Sequence, residues 1–242
     1  MSNAENEGEM PLPLHNNQVG VENRVIQNME SDRVLALFKF GKREHIDQFV
    51  HEGHIYMNPL NYFKTLENDL LRTDKHEGAS YNLQADGAKL LVELNGKWVD
   101  IARIKEQMVW SDGSKHITKV FCMYALLGST SKNLVDPRNF DFGDTFVVLK
   151  DGDEFLRRVH ATAKKENIVL KQGFVEYVNK ATYDGAMGVF RKFSEFAYQS
   201  EFRLSVITEK ETPFSLRIGN ISDISMIGPL AELNKRIKIS PK

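Results

Sequence analysis

The sequence contains almost no cysteine. Cys122 is the single cysteine among 242 residues, so an internal disulfide cannot form. The lack of disulfides fits a reducing compartment, and we expect the protein to be cytoplasmic. Without a Cys-x-x-Cys pair or a Cys/His cluster, we expect no structural zinc site. Cys122 lies in the apolar run KVFCMYALL, which predicts a packed position in a buried strand.

Long apolar runs and an excess of one charge are also missing. No stretch approaches the roughly 18 apolar residues that a membrane-spanning helix needs. The first residues lack the basic and apolar regions of a signal peptide. We therefore expect no membrane contact. The formal net charge is −1, so no global attraction to nucleic acid follows.

Several motifs of well-known enzyme classes are absent. The sequence has no GxxxxGK[ST], no GxGxxG after a first strand, no HExxH and no GxSxG. P-loop NTPase, Rossmann dehydrogenase, zincin and α/β-hydrolase activities therefore lose their main support. His54 and His76 have no partner at metal-binding spacing, and we predict structural roles for both.

The hydrophobic pattern predicts the organisation of the chain. Residues 1–30 are polar and acidic, which predicts a disordered tail, and residues 31–242 are predicted to form a single domain. KREHIDQFVHEG reads as a helix stopped by Gly53, and AKLLVELNGKWVDIARI as a hairpin turning at Asn95-Gly96. Strands and helices do not alternate strictly, which disfavours a doubly wound parallel sheet. We predict an α+β fold: a mixed, mainly antiparallel β-sheet with a few flanking helices.

The stretch FAYQSEFRL carries the most informative polar pattern. Its alternation predicts a strand, in which Gln199, Glu201 and Arg203 would point to the same face. This row could be a solvated outer face with weak cross-strand ion pairs. It could instead form the floor of a site, where aromatic neighbours tune a carboxylate and stack on a planar ligand.

Four further groups could bind a ligand or simply shape the surface. Asp74 and Glu77 of RTDKHEG could converge on a divalent metal, or belong to a charged loop. Small hydroxyl residues after a strand could hold a ribose or make a turn. A lysine late in the first strand could bind phosphate or reach water. In GHIYMNPLNYF, polar and aromatic side chains could contact a nucleotide or follow from an Asn-Pro turn. In the order of the last three groups, the residues are Ser129, Thr130 and Ser131; Lys39; and Tyr56, Asn58, Asn61 and Tyr62.

The order of these segments resembles a large bacterial family of unknown function. Its members run from a lysine-tyrosine strand through an asparagine-rich turn to a central cysteine-phenylalanine-serine strand, and close on a lysine, an aromatic and a Glu-x-Arg strand. The likeness covers roughly residues 33 to 207, although the family's tryptophan–histidine–tyrosine segment is missing here. The matching positions are Lys39, Asn58, Cys122, Lys192, Glu201 and Arg203.

A second resemblance is to ADP-ribosyltransferases. The chain carries Lys39 on a first strand, then Ser129-Thr130-Ser131, then Gln199-Ser200-Glu201, in the order that this class uses. The resemblance implies NAD as a substrate. Cleavage of the nicotinamide–ribose bond builds positive charge on the ribose, which a carboxylate such as Glu201 would stabilise.

The same resemblance implies a role for each remaining residue. Gln199 would orient the acceptor, and Arg203 would hold Glu201 or a phosphate. Lys39 would contact the pyrophosphate. Tyr56 and Tyr62 would stack on nicotinamide or adenine, with Asn58, Ser129 and Thr130 completing the NAD site.

Three functional hypotheses follow. The first is an intracellular ADP-ribosyltransferase-like effector, of toxin or phage-defence type, that modifies a nucleic acid or protein and has an inhibitor partner. The second is a non-catalytic module that binds a nucleotide or nucleic acid. The third is a metal-dependent nuclease or hydrolase that uses Asp74, Glu77 and Glu201. The binding module would use the basic and aromatic wall of Arg191, Lys192, Phe193, Phe196 and Tyr198.

Overall fold

One long strand organises the fold of the chain. The structure, a computed structural model, describes residues 33–64, 74–86, 88–111, 117–128 and 134–238. The predicted tail over residues 1–30 lies outside the described residues, as do Ser129 and Thr130. Residues Val34–Lys242 form one compact unit around β7 (Ile117–Leu127).

The remaining elements are short and mostly extended. The other strands are β1 (Val34–Gly41), β2 (His54–Pro59), β3 (Tyr81–Leu83), β4 (Lys89–Leu94), β5 (Lys97–Arg103), β6 (Met108–Trp110), β8 (Thr145–Leu149), β9 (Leu170–Phe174), β10 (Glu176–Val178), β11 (Gly185–Ala186), β12 (Arg191–Phe193), β13 (Glu201–Thr208), β14 (Phe214–Arg217) and β15 (Ser225–Pro229). The helices are α1 (Arg43–Glu52), α2 (Leu60–Lys64), α3 (Gly152–Lys165) and α4 (Leu233–Arg236). Short 3-10 turns lie at Pro137–Phe142, Ser194–Gln199, Ser222–Ile224 and Leu230–Glu232.

The main sheet is antiparallel throughout. Its order is β14-β2-β7-β1-β8-β15, with β13 on the other edge of β7 and β9 beyond β13. The pair β10–β12 is parallel, so the predicted mixed, mainly antiparallel α+β fold is confirmed. Among the described residues, no helix combines the length and apolar character that crossing a membrane requires.

The edge of β7 is split between two strands. β1 pairs with its second half, from Tyr124 to Leu127, whereas β2 pairs with Lys119 and Val120. Residues 121–123 lie between these two pairings, so β1 and β2 diverge there. On this edge, β7 therefore has β2 as its neighbour before residues 121–123 and β1 as its neighbour after them.

The local signals of the sequence explain several element boundaries. Gly53 ends α1 with φ 60°, and a Cβ there would lie 2.1 Å from the Gly219 carbonyl oxygen, so only glycine fits. Asp151 caps α3 by accepting a hydrogen bond from the Glu154 amide. Asn95 and Gly96 turn the β4–β5 hairpin with φ 52° and 74°, as a type I′ turn requires, which confirms that hairpin.

The main core lies between one face of the sheet and the helices α1 and α3. Phe202, Leu204 and Val206 of β13 point into it. Alternate residues Glu201 and Arg203 point to the opposite face of β13 and are buried as well. That face is covered by a small lobe, which we define as residues 74–83, 108–110 and 175–193. The small lobe has its own apolar cluster of Ala79, Val178, Met187 and Phe193.

The prediction of a continuous strand over FAYQSEFRL is wrong in its first half. Ser194–Gln199 form a 3-10 turn, and the strand begins at Glu201. The reason is a sharp bend at Ser200, which has φ 41°. The Ser200 hydroxyl donates to the Ala125 carbonyl, and the Ala125 amide donates to the Ser200 carbonyl, both at 2.7 Å. These two bonds stabilise the bend and take Gln199 off the strand.

Candidate functional site

A buried charge cluster lies between β13 and the small lobe. We use this name for Asp74, Glu77, Lys192, Gln199, Glu201 and Arg203, each at most 7% exposed. Arg203 is its centre. The Arg203 Nε donates to Glu201 at 2.8 Å, and its two terminal nitrogens donate to the two oxygens of Glu77 at 2.9 and 3.0 Å. This fork-to-carboxylate geometry is the strongest form of ion pair available to arginine.

Lys192 forms the second cationic centre of the cluster. Its ammonium donates to the Gln199 side-chain oxygen at 2.7 Å and to Glu201 at 3.0 Å. Glu77 lies 3.2 Å and Asp74 3.8 Å from the same nitrogen. Lys192 therefore joins Gln199 to Glu201 although the two residues are not on one strand.

Four separate segments supply the cluster. Glu201 and Arg203 come from β13, Lys192 from β12, Gln199 from the 3-10 turn between them, and Asp74 and Glu77 from the turn that opens the small lobe. In that last turn Asp74 accepts the His76 amide, and the Glu77 amide donates to the Asp74 carbonyl. The turn thereby orients both carboxylates toward β13.

Electrostatics keep two of the three carboxylates charged. Burial alone would raise the pKa of Glu201, but Arg203 and Lys192 outweigh it and hold that pKa well below its usual range. The pKa of Glu77 is also lowered, because Arg203 and Lys192 overcome its burial. Burial likewise would lower the pKa of Lys192, but Glu201 and Glu77 raise it. Both cations and both carboxylates are therefore charged at neutral pH.

Asp74 differs from the other two carboxylates. Burial raises its pKa, and the attraction of Lys192 offsets this only in part. With Asp74 ionised, three carboxylates face two cations and the cluster carries one excess negative charge.

Burial distinguishes between the two interpretations of the polar row Gln199, Glu201 and Arg203. Glu201 is 7% and Arg203 1% exposed, so the solvated outer face is wrong. The row is the floor of an interface between the sheet and the small lobe. Gln199 reaches the same floor from the 3-10 turn rather than from the strand.

The three carboxylates of the metal-enzyme hypothesis do converge, but on a lysine. Asp74, Glu77 and Glu201 surround the Lys192 ammonium, which occupies the place where a cation would bind. In the described ranges, no group of three or more His, Cys, Asp or Glu side chains is arranged to hold a metal ion. The geometry therefore gives the metal-dependent hypothesis no support.

Lys39 lies at the split edge of β7. Its ammonium donates to the Cys122 carbonyl at 2.8 Å and lies 4.7 Å from the centre of the Phe121 ring. The Cys122 side chain is half-buried on the face of the sheet that carries Glu201 and Arg203, and burial together with the charge of Glu201 raises the pKa of the thiol to about 12. Cys122 therefore connects the Lys39 position to the charge cluster across β7, and its thiol is protonated at neutral pH, which makes it a weak nucleophile.

The other residues predicted to bind NAD lie on β2 and α2 or outside the described residues. Asn58 is opposite Val120, at the far side of the split. Tyr56 is exposed and opposite Ser215 on β14, the strand on the far side of β2 from β7, and Tyr62 is exposed on α2. Ser129 and Thr130 lie outside the described residues. The structure thus brings together Gln199, Glu201 and Arg203.

Comparisons with known protein families, with curated proteins and with solved structures find no match to this chain. The two resemblances noted in the sequence therefore depend on the order of short motifs alone.

The basic and aromatic wall predicted for nucleic-acid binding is divided by the fold. Lys192 and Phe193 are buried, whereas Arg191 pairs with Glu176 at 2.6 Å. Phe196 and Tyr198 are half-buried beside the cluster, and Phe196 lies 4.7 Å from Lys192. These five side chains do not present one open surface.

Sequence reasoning missed one contributor to the site and assigned two others differently. The missed residue is Tyr177, whose hydroxyl accepts the Glu201 amide at 3.0 Å. The sequence predicts Glu77 as a metal ligand or part of a charged loop, and Lys192 as a family match and part of a binding wall. The pairing of Lys192 with Glu201, nine positions later, has a local signal in RKFSEFAYQSEFR, but that of Glu77 with Arg203 spans 126 positions and has none.

A cleft of about 400 Å³ lies at the other end of β13. It is lined by Lys119, Thr208, Lys210 and Phe214, among others. Thr208 is roughly 23 Å along the strand from Glu201. The cleft is thus separate from the charge cluster.

Proposed function

We propose that this protein transfers ADP-ribose from NAD to a nucleic-acid or protein acceptor, with Glu201 as the catalytic carboxylate. The observation that carries the proposal is the fixed, ionised state of Glu201 beside Gln199. Arg203 and Lys192 hold the Glu201 carboxylate at 2.8 and 3.0 Å, and Lys192 binds Gln199 at the same time. Preorganised charge of this kind stabilises transition states because it needs no rearrangement during the reaction.

The charge balance of the cluster suits a cationic reaction centre. Three carboxylates face two cations, so an ionised cluster retains one negative charge. The nicotinamide ring of NAD carries a positive charge, which moves to the ribose as the glycosidic bond breaks. An excess negative charge in a water-poor environment favours that positive charge strongly.

The proposed reaction breaks one bond and forms one. The bond between the nicotinamide nitrogen and ribose C1′ breaks, and its electron pair leaves with nicotinamide. A nucleophilic atom of the acceptor then bonds to C1′ and loses its proton to solvent. Glu201 stabilises the ribose cation and holds the 2′-hydroxyl, whereas Gln199 orients the acceptor.

The remaining roles are part of the same proposal. Arg203 positions Glu201, and Lys39 binds the pyrophosphate. Tyr56, Asn58, Tyr62, Ser129 and Thr130 would complete the NAD site. Because Glu201 is only 7% exposed, the site must open before NAD can reach its carboxylate.

The proposal extends to the cellular setting by analogy of class. An enzyme that consumes NAD or modifies essential acceptors harms the cell that makes it. We therefore expect a cytoplasmic effector of toxin or defence type that is kept inactive by an inhibitor partner.

The test is to incubate the purified protein with labelled NAD and cell extract, beside the variants Glu201→Gln and Glu77→Gln. The parent should release nicotinamide and transfer label. Glu201→Gln should lower the rate by roughly 10² to 10³, as the loss of one transition-state contact does. Sensitivity of the labelled product to nuclease or protease would identify the acceptor.

Glu77→Gln is the matched control. Glu77 contacts the same two cations as Glu201 and is similarly buried, so its loss should disturb folding to a similar degree. If both variants lose activity in proportion to their stability, the role of Glu201 is structural. If the parent releases no nicotinamide in any extract, the proposed activity is wrong.

A further inference from the structure

The β4–β5 hairpin exposes an unusual amount of apolar surface. Trp98 is 63% exposed, and five further large apolar side chains are at least 41% exposed: Leu90, Leu91, Leu94, Val99 and Ile101. These side chains lie on both faces of the hairpin: Trp98 and Leu91 share one face, and Leu90, Leu94 and Val99 share the other. Large apolar side chains exposed on both faces of a two-stranded element indicate a contact with another molecule.

The hairpin also presents unpaired strand edges. Within the described part of the chain, β4 and β5 pair only with each other. An isolated two-stranded hairpin is marginally stable in water, and its outer edges offer free backbone donors and acceptors. Pairing with a further strand would therefore satisfy these edge groups and stabilise the hairpin.

We propose that the hairpin pairs with a second copy of this chain, edge to edge along β4, to form a four-stranded antiparallel sheet. The proposal is independent of the activity proposed above. Its basis is a charge pattern on β4 that is complementary to itself.

Twofold symmetry limits the registers that such a pairing can adopt. Opposed residues in an antiparallel pair point to the same face, so only residues an even number of positions apart can face each other. When Leu91 faces Leu91 of the second copy, Lys89 faces Glu93 of the second copy, and Leu90 faces Val92. This register creates two Lys–Glu pairs, both flanked by apolar contacts.

The other edge of the hairpin lacks this complementarity. β5 contains one carboxylate, Asp100, which is an odd number of positions from both Lys97 and Arg103. No symmetric register of β5 can therefore pair opposite charges, and one register brings Asp100 against itself. The pairing of β4 with β5 also shifts register at Leu90/Leu91, and the extra residue lies in β5. A bulge of this kind twists an edge away from pairing.

The decisive experiment measures the oligomeric state of the full chain by sedimentation equilibrium. The parent should form dimers. Glu93→Lys places a second lysine opposite Lys89, and Lys89→Glu places a second glutamate opposite Glu93, so each variant should self-associate roughly tenfold or more weakly. When the two variants are mixed, every opposed pair again carries opposite charges, and a heterodimer should form.

One control separates this register from effects inside the hairpin. Lys89 also pairs with Asp100 of its own chain at 2.7 Å, so Lys89→Glu removes that contact as well. Asp100→Asn removes the same contact without changing the β4 edge, and it should leave dimerisation intact.

Three results would overturn the proposal. They are a parent that stays monomeric at every concentration, variants that dimerise as tightly as the parent, and a mixture that does not associate. Persistent dimers in both variants would point instead to packing of the apolar faces.

Discussion

Replacing Arg203 by methionine should destabilise the protein more than any change at its surface. Arg203 is 1% exposed and donates hydrogen bonds to Glu201, to both oxygens of Glu77 and to the Val189 carbonyl. Methionine fills most of the volume of the arginine side chain. It leaves Lys192 as the only cation of the cluster beside Glu77. Breaking a buried ion pair from one side costs about 3–5 kcal/mol.

The expected magnitude is large enough for simple assays. Urea unfolding followed by circular dichroism should show a lower midpoint with an unchanged slope, because the unfolded surface stays the same. In a domain of this size, each 1 kcal/mol lowers the melting temperature by about 2–4 °C. We therefore expect Arg203→Met to lower it by roughly 6–20 °C.

The double variant Arg203→Met/Glu77→Met separates the loss of attraction from the cost of an unpaired charge. Replacing both partners by apolar groups is often close to neutral. The double variant should therefore be more stable than Arg203→Met alone. A loss below about 1 kcal/mol for the single variant, or a double variant that is less stable still, would refute the reasoning.

Acid should reproduce part of the same loss. The pKa values of Glu77 and Glu201 lie below the ordinary value of 4.5 in the folded protein. Their contribution to stability is thus complete above that value and is lost as the pH falls through the folded values. The parent should lose more stability in acid than Arg203→Met does, because the variant has less of this contribution to lose.

Three further predictions concern single residues. Burial raises the pKa of Asp74 above 3.8, so the folded state favours the protonated carboxyl, and the stability that Asp74 contributes in acid is lost as the pH rises. Asparagine does not titrate, so Asp74→Asn should gain stability relative to the parent between pH 4 and pH 7 in urea titrations. A stability difference that stays constant over this range would contradict the prediction. Cys122, with a thiol pKa of about 12, should react with an aromatic disulfide reagent at pH 8 more slowly in the folded than in the unfolded protein; equal rates in the two states would contradict this. Asp151→Ala should cost about 1 kcal/mol in thermal unfolding through loss of the α3 cap. Asp153→Ala, which removes a carboxylate two positions later and leaves the cap in place, serves as its control.

Local patterns predicted the elements that depend on local interactions. The glycine stop of α1 and the Asn95-Gly96 hairpin both form where the sequence predicts them. Each depends on contacts within a few residues, such as a cap or a turn that requires positive φ. The α+β class followed from the same signals.

The strand predicted over FAYQSEFRL failed for the opposite reason. Its alternation continues through Phe196 and Tyr198, but the hydrogen bonds between Ser200 and Ala125 bend the chain first. Ala125 is 75 positions away, and no local pattern contains that contact. Tertiary contacts of this kind override local preference.

The sequence by itself determined which residue types were available: a row of polar side chains among aromatics, a self-complementary β4 edge and a chain without disulfides. Only the tertiary structure decided that Glu201 and Arg203 are buried and that Glu77 and Lys192 are their partners. The physical reason is distance along the chain. A charge that leaves water must meet an opposite charge, and here that partner comes from a segment 126 residues earlier, which only the folded arrangement of sheet and small lobe brings into contact.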